Sequence, residues 1–508
     1  MLMKMRVKYI LFLLALLAAC RQAGLESNVD TELSGESLAR AYCSGCHTYP
    51  DPSLLTREKW KSVLPHMAVR LGAPAEGIDP YDGLKMNEIG RLKMAGIFPE
   101  EQLMPDSLWQ KIEDFYVAQA PDSLQLPARK TVKNGSPFES RLPSLDLNSA
   151  PFISMVEFDE AGTLYLADWN GDFLQMDPAL RIKKRMKFPR PVIDAGHDAR
   201  GRILALSIGE LYPNEGLYGA AAVLDTQTFA APRLLFSGLP RPVDFEIADL
   251  NNDGLEDLAV CSFGNNLGHL SWFENTGGEY RRHTLKEVPG ATRIHAIDMD
   301  QDGSLDLVVL FAQGDEGISI FYNEDGTFRE DRVLRFPPVY GSNDLELVDF
   351  DQDGDLDFIT TNGDNGDYSI ILKPYHGVRI FLNENNTFRE RYFYPMYGAS
   401  KVRARDFDLD GDIDLIAASF FPDTQNGLEQ SIVYLENQGD WQFAPSHIPH
   451  ADKGRWMVMD AGDIDGDGDE DVVVGSFTLT TQGIDQKVLD TWRGSRNHLL
   501  FLENKQIP

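Results

Sequence analysis

"DLNNDGLEDL" (249–258), "DMDQDGSLDL" (298–307), "DFDQDGDLDF" (349–358), "DFDLDGDIDL" (406–415) and "DIDGDGDEDV" (463–472) are five copies of one ten-residue pattern. They start 49, 51, 57 and 57 residues apart. A period near fifty marks a propeller or a similar array, each repeat being one supersecondary unit. Every copy places oxygen side chains at positions 1, 3, 5 and 9 and glycine at position 6. Acids at alternate positions of a tight turn converge on one point, and the glycine permits the bend. An all-oxygen set of this kind suits a hard cation, which here reads as calcium.

An EF-hand is excluded. Its bidentate glutamate at position 12 would fall on Val260, Val309, Thr360, Ala417 and Val474. Those residues belong instead to apolar runs, "LAVCSF", "LVVLF", "FITTN", "LIAASF" and "VVVGSF", which read as buried strands. The calcium set is therefore Asp249, Asn251, Asp253 and Asp257; Asp298, Asp300, Asp302 and Asp306; Asp349, Asp351, Asp353 and Asp357; Asp406, Asp408, Asp410 and Asp414; Asp463, Asp465, Asp467 and Asp471. That makes about five ions.

A second element recurs: "HLSWFENTGGEY", "ISIFYNEDGTF", "VRIFLNENNTF", "SIVYLENQGDW" and "HLLFLENK" are alternating strands that end in asparagine and a turn. Together the two elements resemble the FG-GAP or VCBS repeats of integrin-α-type propellers. Upstream, "VEFDEAGTLYLADWNG" and "IDAGHDARGRILALSIG" look like two further blades whose loops lost their acids. Asp159 and Asp198 keep the phase without the full set and are assigned no calcium. Two and five blades predict an all-β seven-bladed propeller over 146–508, closed by a strand from about 140–158.

The N-terminus reads as an export signal. Lys4, Arg6 and Lys8 precede a short apolar core from Tyr9 to Ala19, too short to span a bilayer. Leu17-Ala18-Ala19-Cys20 resembles the lipobox of bacterial lipoproteins, which implies cleavage and lipidation at Cys20. The expected location is the bacterial cell envelope, periplasmic or at the cell surface. Attachment to the membrane would be through lipid alone. The chain carries 79 acidic and 47 basic residues, a net charge of -32, which argues against nucleic acid as a partner.

Between signal and repeats lies Cys43-Ser44-Gly45-Cys46-His47, the C-x-x-C-H pattern of covalent haem c attachment. Two thiols add across the porphyrin vinyl groups, and the next residue brings an imidazole under the iron. A structural zinc site would want a second ligand pair, and the chain has only four cysteines in all. Residues 33–121 resemble a small all-α cytochrome c domain, with 122–145 a linker rich in Pro, Ser, Lys and Arg. The resemblance implies one haem, His47 as proximal iron ligand and a methionine opposite, either Met67 or Met104. Met86 and Met94 read as packing residues.

Two functional classes follow. One is an electron-transfer cytochrome whose propeller binds a redox partner protein or carbohydrate. The other is an oxidoreductase acting on sugars or alcohols at the propeller face, with the haem as electron acceptor. Candidate polar groups for the second are His295, His376, Trp456 and Asp490, with no catalytic motif to unite them.

Overall fold

The computed structural model describes residues 33–507 except 129, 134, 227 and 480–482. The signal sequence and Cys20 lie outside the described residues. No described helix is long and apolar enough to cross a membrane.

Two compact units divide the chain. The first comprises the described residues up to Gly45 together with Asp51–Pro80 and Phe98–Asp122. It holds α1 (Gly35–Cys43), α2 (Arg57–Arg70) and α4 (Asp106–Gln119). Ser34 and Thr56 cap the first two helices, each accepting a backbone N–H three residues on. Leu38, Leu55, Trp60, Leu64, Trp109, Ile112 and Tyr116 are buried together as its core. Trp60 and Tyr116 sit 4.4 Å apart, and the indole donates to the Pro52 carbonyl at 2.8 Å. At Gly35 a Cβ would lie 2.1 Å from the Lys111 carbonyl oxygen, so only glycine lets α1 approach α4 this closely.

The second unit is a seven-bladed β-propeller of seven four-stranded antiparallel sheets. Its innermost strands are β2 (Ile153–Phe158), β6 (Val192–His197), β10 (Pro242–Ala248), β14 (Ala291–Ile297), β18 (Ser342–Val348), β22 (Ala399–Arg405) and β26 (Trp456–Gly462). In the first six blades the chain runs outward strand by strand. Second strands such as β11 (Asp257–Ser262) and β15 (Asp306–Phe311) are buried along their whole length. Both their faces pack against neighbouring blades, which is why they read as continuous apolar runs.

The last blade departs from the pattern. Its outer strand is β1 (Phe138–Arg141), which pairs antiparallel with β28 (Leu499–Asn504), Phe138 opposite Asn504. This corrects the expected linker over 122–145, because its end is the clasp of the ring. Closure of the last blade by an N-terminal strand is as expected, but the strand lies at Phe138–Arg141, and the stretch at 153–158 opens the first blade.

A second correction concerns the 33–121 segment. Cys46–Pro50 and Tyr81–Ile97 group with the propeller unit. The latter includes α3 (Met86–Ala95), tied to the blade-2 loop by three bonds. Lys85 Nζ reaches Glu210 Oε1 at 3.3 Å and Tyr218 Oη at 3.1 Å, and Arg91 Nη1 donates to the Glu215 carbonyl at 2.7 Å.

Candidate functional site

Each acidic loop joins the first and second strands of its blade, in blades 3 to 7. The backbone is the same each time. Position 4 is left-handed (Asn252, Gln301, Gln352, Leu409 and Gly466), and the glycine at position 6 has φ between 84° and 100° in every copy. The first aspartate accepts the N–H of that glycine at 2.8–3.0 Å. The fifth accepts the N–H of residue 7, as Asp302 does from Ser304 at 2.7 Å. These bonds aim the carboxylates inward.

In four loops the first, third and fifth carboxylates, Asp298/300/302, Asp349/351/353, Asp406/408/410 and Asp463/465/467, offer oxygens within 4.8 Å of one another. Such triads can hold a metal ion. In the remaining loop, that of blade 3, Asn251 replaces the middle acid and donates to Asp253 at 3.2 Å. Burial, then the neighbouring acids, raise the carboxyl pKa of Asp351, Asp408 and Asp465.

The ninth-position aspartates stand outside these triads. Asp306 accepts the Met299 N–H at 3.0 Å and the Asn323 N–H at 2.8 Å. Asp357 does the same with Phe350 and Asn383, and Asp471 with Ile464 and Asn504. Asp257 takes Leu250 and Asn275, and Asp414 takes Asn437 and the Tyr434 hydroxyl. The asparagine ending each third strand completes the latch. Asn323 Nδ2 donates to the carbonyls of Leu250 and Leu305, and its Oδ1 accepts from Gly326 N–H. So the two recurring sequence elements meet: the ninth acid and the asparagine bolt loop, second strand and third strand together.

In the second blade Asp198 accepts from the Arg200 and Arg202 N–H groups, and the Arg202 guanidinium bonds its other oxygen at 2.7 Å. An internal cation thus occupies that carboxylate.

Sequence reasoning missed the central channel, a cavity of about 350 Å³ lined by the innermost strands. All seven of those strands carry a register shift at their second residue. A bulge re-aims the side chains that follow it. Asp194, Asp244, Arg293, Asp344 and Lys401 then line one level, and Glu157, Glu246, His295, Glu346 and Arg403 a second. Arg293 bridges Asp244 at 2.9 Å and Asp344 at 2.6 Å, and Arg403 bridges Glu346 at 3.0 Å and Asp460 at 2.9 Å. Burial pushes the Glu246 carboxyl up to about 8, helped by Asp244, and burial with Asp460 and Asp194 raises Glu157 well above its ordinary value. The sequence signal was a charged residue at matching offsets in strands otherwise apolar.

The four catalytic candidates stand apart. His295 faces the channel, its Nε2 on the Leu345 carbonyl at 2.9 Å. His376 is buried before β20 (Gly377–Asn383), with burial lowering its pKa. Trp456 is wholly buried and donates to the Ala451 carbonyl at 2.6 Å. Asp490 is exposed on α5 (Gln486–Ser495), bonded by Gln486 at 2.8 Å. They form no common site.

At the C-x-x-C-H segment, Cys43 ends α1 and Cys46 is exposed, neither in a disulfide. The His47 Nδ1 hydrogen-bonds the Thr48 carbonyl at 2.8 Å. With Nδ1–H as the donor, Nε2 keeps its lone pair for a metal. Met67 is half-buried on α2 and Met104 is buried at 2% exposure, while Met86 and Met94 are exposed rather than packed.

The FG-GAP-like repeat family matches residues 249–309, 298–360 and 406–474. Those spans take in all five acidic loops. No curated protein matches the chain. The chain carries FG-GAP-like repeats on a seven-bladed propeller, an architecture suited to a protein-interaction or binding module.

Proposed function

We propose that this chain is a lipid-anchored, extracytoplasmic c-type cytochrome whose propeller is a calcium-stabilised module for binding a redox partner protein or carbohydrate. The observation that carries the haem reading is the C-x-x-C-H segment, with the His47 ring oriented by a carbonyl through Nδ1. Cys43 and Cys46 would hold the porphyrin, His47 would be the proximal ligand, and Met67 or Met104 the distal one. A bound haem supplies a one-electron couple, whose potential the axial ligands set. The chain's own contribution is to hold the imidazole in one tautomer and to present a binding surface. The oxidoreductase alternative lacks an observation of its own, since its four candidate residues lie on separate elements.

The decisive experiment is expression with a cytochrome c maturation system, followed by spectroscopy of the denatured, reduced protein. A c-type haem band that Cys46→Ala weakens and His47→Ala alters is expected. A colourless protein would sink the haem reading and leave the propeller as a binding module alone. For the anchor, Cys20→Ser should release the protein from membranes.

A further inference from the structure

Resting on that haem reading, we propose that Thr48 is a positioning residue for the proximal ligand, and that the propeller holds it in place. Its carbonyl is the acceptor that orients the His47 ring, at 2.8 Å. Its hydroxyl donates to the Phe336 carbonyl at 2.9 Å, in the loop between β17 (Thr327–Arg335) and β18. One residue thus takes the imidazole with its backbone and a propeller blade with its side chain.

The blade end that receives it is packed by stacked rings and an ion pair. Phe336 is buried, and its ring stacks on Tyr340 at 10° between planes, and Tyr340 on Tyr375 at 11°. The adjacent Arg335 is locked to Asp315 through Nε at 3.1 Å and Nη2 at 2.8 Å. Asp315 and Arg335, of opposite sign and bonded to one another, both act on the His47 ring, which is itself largely buried.

A carbonyl acceptor on Nδ1–H makes the imidazole a stronger donor to a metal and favours the higher oxidation state. Releasing the Thr48 hydroxyl would let that carbonyl swing, weaken the bond and raise the midpoint potential. Thr48→Val removes the hydroxyl while keeping the side-chain shape, and Thr48→Ser restores it. The full chain is expressed with haem maturation, haem content is read first on denatured samples, and midpoint potentials and low-temperature electron paramagnetic spectra follow. Expected are equal haem content in all three proteins, a raised potential with a broadened ferric signal in Thr48→Val, and values of the unsubstituted protein in Thr48→Ser. Equal potentials and spectra in all three would overturn the positioning role while leaving the haem reading intact. No haem in the unsubstituted protein would end both, and haem lost from Thr48→Val alone would make Thr48 a maturation residue instead.

Discussion

The Glu316 carboxylate accepts the Ser342 N–H at 3.0 Å, the Ser342 hydroxyl at 2.9 Å and the Gly341 N–H at 3.3 Å, at 3% exposure. It fastens blade 4 to the first strand of blade 5. Burial outweighs those bonds and raises its carboxyl from near 4.5 to about 7. The folded chain therefore keeps a proton there that the unfolded chain has already lost. Stability on this group falls as pH rises from about 4.5 to about 7 and then levels, by up to roughly 3 kcal/mol. Glu316→Gln does not titrate, so its urea midpoint should decline less across that window at saturating calcium. Parallel declines in the two proteins would refute the assignment.

Among elements, the acidic loop separates into two devices that one periodicity conceals. In blade 4, Asp300 belongs to the exposed triad, whereas Asp306 latches two backbone N–H groups inside the blade. Asp300→Ala should remove one calcium per chain and change the calcium-free stability little. Asp306→Ala leaves both N–H groups unmatched in a buried place and should cost roughly 2–4 kcal/mol even with calcium removed. Isothermal titration and chemical unfolding in chelator distinguish the two, and similar losses in both variants would return the ninth acid to the metal. The loops and the seven blades were legible in the sequence because five copies in phase leave little freedom. The latch was not, because a metal ligand and a backbone acceptor are the same residue at the same spacing. The channel charges hid among strand residues, their orientation set by bulges that no local pattern announces. Phe138–Arg141 was read as linker because four residues with one buried side chain carry almost no strand signal.

For the molecule as a whole, the net charge of -32 is concentrated where the triads force like charges together. Five divalent ions would bring it to -22. An ion that binds only the folded loop stabilises by about 2.7 kcal/mol per site at one hundred times its dissociation constant. Chelation should therefore lower the melting temperature of the propeller sharply while the helical unit's transition moves little, by differential scanning calorimetry. If neither transition moves, the loops are acidic turns without metal. The clasp between β1 and β28 sets a different constraint, on time rather than on energy. Phe138 and Asn504 meet across about 370 residues of chain, a loop whose closure entropy is on the order of 5 kcal/mol for a flexible segment. The six blades between are each built from neighbours in sequence and can form as they are made. The ring cannot. Until its last strand exists, the seventh blade offers an open edge to any other chain, so this architecture commits its folding to a late, non-local step in which a nascent copy is most vulnerable to pairing with its neighbours.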